Sequence, residues 1–226
     1  MKTLVLFISM AVLLCSAQAA VAIRFSHDAE GNIPNRSIKL DFAISETGVV
    51  SLDASTQSGN PLAAAAVDKW DNDNIATVEE QALYGKSFSL QSFTENEKGG
   101  FPPLILRPEE GGILGIGGHN PGRIDGTGLK SGPNKETLSW VLSGGVKLVI
   151  VNFACGLGVN NSGIIVEDAD SELRTGPMKK NQAANWDIPR GMLTLEDGER
   201  LVFKADPDLM QGAGLVGFVF DIESSE

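Results

Sequence analysis

The chain predicts an all-β fold, a β-sandwich or jelly roll of about ten strands, and three features of its 226 residues predict it. Short segments alternate apolar and polar residues with period two. Turns rich in Gly, Asn, Asp and Pro separate them. One longer segment, Val146 to Phe153, is apolar on nearly both faces apart from Lys147 and Asn152, the pattern of a central strand in a stacked sheet.

In chain order, Met1 to Ala19 has the organisation of a secretory signal peptide. Lys2 is the charged start, Leu4 to Leu14 the apolar stretch, and Ala17-Gln18-Ala19 the small-x-small cleavage pattern. Its removal leaves 226 − 19 = 207 residues, read as one β-sandwich domain over 20–226. The bulky Leu14 before Cys15 argues against a lipoprotein signal. Val21 to His27 then alternates Val21, Ile23 and Phe25 against Ala22, Arg24 and Ser26. Ser37 to Ser45 sets Ile38, Leu40, Phe42 and Ile44 against Lys39, Asp41 and Ala43, and Val49 to Ala54 continues beyond the break at Gly48. Asn60 as cap and Pro61 in the first helical position predict one short helix over 61–70. Ser87 to Thr94 alternates again. Leu104 to Leu106, after Phe101-Pro102-Pro103, reads as an edge strand.

The stretch Gly111 to Phe153 organises the rest. A glycine-rich approach turns through Asn120-Pro121-Gly122 into Arg123-Ile124-Asp125. Glu136 to Leu142 follows, with Leu138, Trp140 and Leu142 on one face and Thr137, Ser139 and Val141 on the other. Ser143-Gly144-Gly145 is the turn into the return strand from Val146. Further strands are expected at Gly163 to Glu167, Met192 to Leu195, Arg200 to Ala205 and Gly214 to Ile222. The last sets Val216, Phe218, Phe220 and Ile222 on one face. Thr175 to Pro189 lacks periodicity and reads as a surface loop, with a basic patch at Met178-Lys179-Lys180.

Eighteen basic against 29 acidic residues give a net charge of −11, and loss of Lys2 with the signal peptide makes it 17 − 29 = −12. Such a field repels nucleic acid and anionic membrane surfaces. No later segment reaches the ~18 apolar residues of a membrane span, so none is expected in the mature chain. Cys155 is then the only cysteine, which excludes an internal disulfide; at the end of an apolar strand it reads as a buried thiol. With only His27 and His119, a histidine-rich metal site is excluded by count. No Gly-x-Ser-x-Gly elbow, phosphate loop or His-Glu-x-x-His helix is present. The run Gly111 to Gly118 is followed by a turn and strands, with no helix N-terminus to hold an anion.

The remaining polar motifs each have two readings. Arg123 and Asp125 flank Ile124, so in extended backbone both face one way. They can pair with each other or with Glu136 and pin the loop, or they can line a carbohydrate-binding cleft with His119, Asn120 and an aromatic. By alternation Trp140 belongs to the core, which leaves Trp70 and Trp186 as exposed rings for stacking. Asp68, Asp71, Asp73 and Asn74 offer oxygen ligands at alternating positions, which suits Ca2+, although the EF-hand spacing is absent; the other reading is a solvated turn. Glu136, Trp140 and Phe218 are assigned structural roles.

The order of a strand near Phe88, Gly112-Ile113-Leu114-Gly115-Ile116, Asn120 with Arg123-Ile124-Asp125, Glu136 with Leu138 and Trp140, and an apolar strand ending Asn152-Phe153 resembles secreted bacterial β-sandwich modules. Such modules occur in exported proteins of the PEP-CTERM sorting type. The resemblance spans roughly Phe88 to Ile222 and implies an exported sandwich without a defined activity. Here the loop Gly126 to Lys135 is longer, and Trp140 stands where phenylalanine is commoner. The Pro-Glu-Pro motif, membrane segment and basic tail are missing, so sorting by that route is not expected. The expectation is a secreted, non-catalytic protein, extracellular or periplasmic, that binds extracellular polysaccharide or cell-surface proteins. The alternatives are a polysaccharide hydrolase or lyase using carboxylates such as Asp125 and Glu136, and a structural subunit of a cell-surface assembly.

Overall fold

A computed structural model describes residues 20–25, 33–35, 37–56, 81–96, 98–107, 113–117, 123–124, 136–156, 161–179, 183–209 and 212–225. Among these residues there are fifteen strands. The first seven are β1 (Ala20–Arg24), β2 (Ile33–Asn35), β3 (Ile38–Ile44), β4 (Val50–Thr56), β5 (Ser87–Glu95), β6 (Leu104–Arg107) and β7 (Ile113–Ile116). Then come β8 (Thr137–Ser143), β9 (Val146–Gly156), β10 (Ile164–Glu167), β11 (Glu172–Arg174) and β12 (Ala184–Asp187). The last three are β13 (Leu193–Leu195), β14 (Arg200–Ala205) and β15 (Gly214–Ser224). The expected helix over 61–70 lies outside the described residues.

The strands form two sheets whose pairings are all antiparallel. One has eight strands in the order β12-β9-β15-β7-β6-β2, with β1 also on β15 and β13 also on β9. The other has seven, in the order β11-β10-β14-β8-β5-β3-β4. Alternation explains why they stack. In β3, Ile38, Leu40, Phe42 and Ile44 are buried while Lys39 and Ala43 are exposed, and in β8 the buried set includes Leu138, Trp140 and Leu142. The two inner faces share one hydrophobic core. A chain of rings crosses it. Phe88 stacks on Phe42 at 4.6 Å, Phe42 meets Phe220 edge-on, and Phe218 lies between Phe220, Trp140 and Phe203. Central β9 has β15 along one side and β12 and β13 along the other, as its two apolar faces predict.

Four differences from the sequence reading have physical causes. First, the turn Ser143-Gly144-Gly145 is no hairpin: β8 belongs to the seven-stranded sheet and β9 to the eight-stranded one, so the turn carries the chain across the core. Gly144 has φ +130°, and a Cβ there would lie 2.7 Å from Phe88 Cβ, so only glycine passes this close. Secondly, Leu104–Arg107 is not an edge, because the short β2 pairs with it outside β7. Thirdly, the glycine-rich approach contains a strand, β7, whose Leu114 and Ile116 enter the core. Fourthly, the supposed surface loop from Thr175 to Pro189 holds β12 on the edge of the sheet, and Met178 within its basic patch is buried beside Ser162. Cys155 is buried as expected, and burial pushes its thiol far above the usual range.

Candidate functional site

Sheet register brings together polar residues that are far apart in sequence. On the outer face of the seven-stranded sheet, Asp53 of β4 stands opposite Asp41 of β3, Asp41 opposite Ser89 of β5, and Ser89 opposite Ser143 of β8. The next row is Ser51, Ala43 and Ser87. Each outward side chain follows from the period-two pleat, because Leu40, Phe42, Leu90 and Leu142 hold the inward positions of the same strands. These rows line an open groove of about 560 Å³, and Phe42, Leu52 and Phe88 complete its lining.

Opposite residues in an antiparallel pair have Cβ atoms about 4.5–5.5 Å apart, so the Asp41 and Asp53 carboxylates repel one another. Lys39 relieves part of this through an ion pair to Asp41 at 2.7 Å. Asp53, Ser51, Ser87 and Ser143 are exposed, and Ser51 Oγ donates to Ala43 O at 3.3 Å, which leaves that hydroxyl oxygen to accept. Farther along β5, on the same face, Phe93 keeps 40 % of its surface exposed. It lies four residues from Ser89, ~13 Å along an extended strand.

The far half of this face differs. Glu167 and Lys204 form an ion pair, Glu172 and Arg174 bond at 2.8 Å, and Arg174 also reaches Asp208 at 2.8 Å and Asp206 at 3.6 Å. Those charges satisfy each other, and a ligand would have to displace them.

The residues singled out in sequence do not form one site. Arg123 is half-buried and built into the ladder, its carbonyl accepting from Ile116 N at 3.0 Å, while Ile124 N donates to Ala213 O at 3.0 Å. Trp186 was expected to be exposed. It is half-buried, stacked on Phe153 at 5.3 Å from the edge strand β12. With β9 and β15 between β12 and β7, Arg123 and Trp186 stand three strand spacings apart, ~14 Å across the sheet alone. Glu136 is 3 % exposed, just before β8, and Trp140 and Phe218 are in the core. His119, Asn120 and Asp125, the proposed calcium ligands Asp68, Asp71, Asp73 and Asn74, and Trp70 lie outside the described residues. Among the described residues no three His, Cys, Asp or Glu side chains come together as a metal-binding group. No helix among them is long and apolar enough to cross a membrane. The groove was missed in sequence because Asp41, Asp53, Ser89 and Ser143 become neighbours only through strand order. The available signal was their place on the wet side of each alternating segment.

No protein-family model, curated protein or solved structure matches the chain. The architecture is an antiparallel two-sheet all-β fold of the sandwich kind.

Proposed function

We propose that this is an exported, non-catalytic β-sandwich protein that binds extracellular polysaccharide across the outer face of its seven-stranded sheet. The groove of Asp41, Asp53, Ser51, Ser87, Ser89 and Ser143 carries this reading. A sugar hydroxyl both donates and accepts; carboxylates only accept and serine hydroxyls do either, so the lining matches a polyol. Phe93 adds an apolar ring on the same face, able to stack on a pyranose. A net charge of −11 favours a neutral polymer over an anionic one. Export rests on the organisation of Met1 to Ala19 and on the resemblance to secreted bacterial modules.

The hydrolase alternative through Asp125 and Glu136 is weaker because Glu136 is buried at 3 % exposure, away from a polymer in solvent. Affinity electrophoresis in gels containing neutral or acidic polysaccharides tests the reading. Retardation by a neutral polymer is expected, reduced at least about tenfold in affinity by Asp53→Asn, since a charge-assisted hydrogen bond is worth roughly 1.5–3 kcal/mol. Unretarded migration in every gel would remove the proposal, and release of new reducing ends would promote the hydrolase. Repeating the gels with and without chelator tests the calcium expectation at Asp68, Asp71, Asp73 and Asn74.

A further inference from the structure

Strand β5 runs through the interior of the seven-stranded sheet, and its wet side reaches well beyond the groove. Its outward positions are Ser87, Ser89, Gln91, Phe93 and Glu95, while Phe88, Leu90, Ser92 and Thr94 are buried on the other side. It pairs with β3 from Ser87 to Gln91 and with β8 from Ser89 to Glu95, and neither register shifts. The outward side chains therefore stand in single file, ~7 Å apart. They change character along the file. At the groove Ser89 faces Ser143, hydroxyl beside hydroxyl. Next, Gln91 faces Val141, and both are half-buried, so an amide lies beside an isopropyl group. Then Phe93 faces Ser139, with Val202 of β14 beyond it; the ring keeps 40 % of its surface in water while Ser139 is 7 % exposed.

We propose that the ligand of this face is an extended, equatorially linked neutral glycan of the β-1,4-glucan or xylan type, held mid-chain along β5, with Gln91 joining the groove to the Phe93 ring. The inference rests on the polysaccharide reading above and names the class of polymer. From Ser87 to Phe93 the file covers six residues, ~20 Å of extended strand, more than one pyranose ring spans. Contact with both ends needs several consecutive sugars in line. A chain joined through equatorial bonds on opposite corners of each ring stays extended, as the strand beneath it does; one joined through axial bonds coils away from the face. Stacking selects the same geometry. A ring whose hydroxyls are all equatorial shows only axial C–H bonds on its faces, an apolar plate that fits a phenyl ring. Its hydroxyls then point to the edges, where the planar Gln91 amide, donor on one side and acceptor on the other, takes two neighbours at once. An anionic polymer on the same path would meet Asp41, Asp53 and Glu95.

Affinity electrophoresis of the protein produced from the full chain, in gels containing hydroxyethyl cellulose or soluble starch, tests this. Both are neutral glucose polymers, and they differ in linkage. Binding to the cellulose derivative is expected to be tighter by about two- to tenfold, the contribution of a Phe93 stack that a coiled chain does not reach. Phe93→Ala is expected to remove that advantage and leave starch binding as it was. Gln91→Ala is expected to weaken binding to the cellulose derivative by about two- to tenfold. Phe93→Trp, which keeps a ring, is expected to keep the preference, so that its loss in Phe93→Ala reports the ring and not the fold. Equal retardation of the wild type by the two polymers, stronger retardation by starch, or a Phe93→Ala chain weakened alike on both overturns the path along β5 and leaves the groove reading in place. Unretarded migration in these and every other neutral polymer removes that reading, and this inference with it.

Discussion

Trp140 meets the opposite sheet through two rings, Phe25 stacked at 5.8 Å and Phe218 tilted at 5.7 Å, and it is fully buried. Its indole Nε1 has no hydrogen-bond partner among the described residues. The side chain therefore contributes packing while carrying the desolvation penalty of an unmade bond. Trp140→Ala is expected to cost about 3–5 kcal/mol by urea unfolding, the range for emptying a large aromatic site. Trp140→Phe is expected to cost less than about 1.5 kcal/mol, because the smaller ring also removes the orphan donor. Equal losses in both would mean that the indole N–H is satisfied by an acceptor. Asp221 gives a second test at this scale. Its folded carboxyl sits above the ordinary range, so its contribution to stability is fully present below the unfolded value and is lost as pH rises through the folded one. Wild-type stability relative to Asp221→Asn is therefore expected to fall as pH rises from the ordinary carboxylate value of about 4. Urea midpoints over that rise check the sign.

Between strands, the decisive element is the passage from β8 to β9. The two glycines of this crossing between sheets are not equivalent. Alanine at Gly144 meets Phe88 Cβ at 2.7 Å and Ser87 O at 2.9 Å with φ at +130°. Alanine at Gly145 meets only Ser225 Oγ at 3.9 Å. Gly144→Ala is therefore expected to lose about 1–3 kcal/mol or more, and Gly145→Ala within about 0.5–1 kcal/mol, by denaturant unfolding. The same passage shows where sequence reading ends. Strands with one wet face, such as β3, β5 and β8, were legible because pleat and burial have the same period. Four were not. β7 hides its strand pattern in glycine, β2 contains Pro34, and β11 and β12 lie at sheet edges where alternate side chains stay in water and no apolar stripe is needed. Glycine pairs mark a reversal of direction, but whether the chain returns within its sheet or crosses to the other depends on Phe88, more than 50 residues away in sequence.

At the scale of the whole molecule, pairing is dominated by distant partners, with Ala20 opposite Asp221 and Ile33 opposite Leu106. The groove is a product of the same topology, which is why its residues were legible singly as wet-face positions and not as a site. Such non-local order implies slow folding, since loop-closure entropy is lost before the contacts that compensate it form. It also implies that neither sheet survives alone. The rings of Phe42, Phe88, Phe203 and Trp140 on one sheet pack directly on Phe153, Phe218 and Phe220 of the other. Separating the layers would expose all of them at once. Cys155 offers a probe inside the eight-stranded sheet, since its thiol is buried and burial holds it protonated and unreactive. In a chain beginning at Ala20 it is the only thiol, so pulsed labelling reports that sheet, while far-ultraviolet circular dichroism reports both. The two unfolding curves in urea are expected to coincide, as a cooperative transition requires. Labelling of Cys155 at lower urea than the loss of ellipticity would show that β9 and its neighbours open first, and the shared core could not then be what couples the sheets.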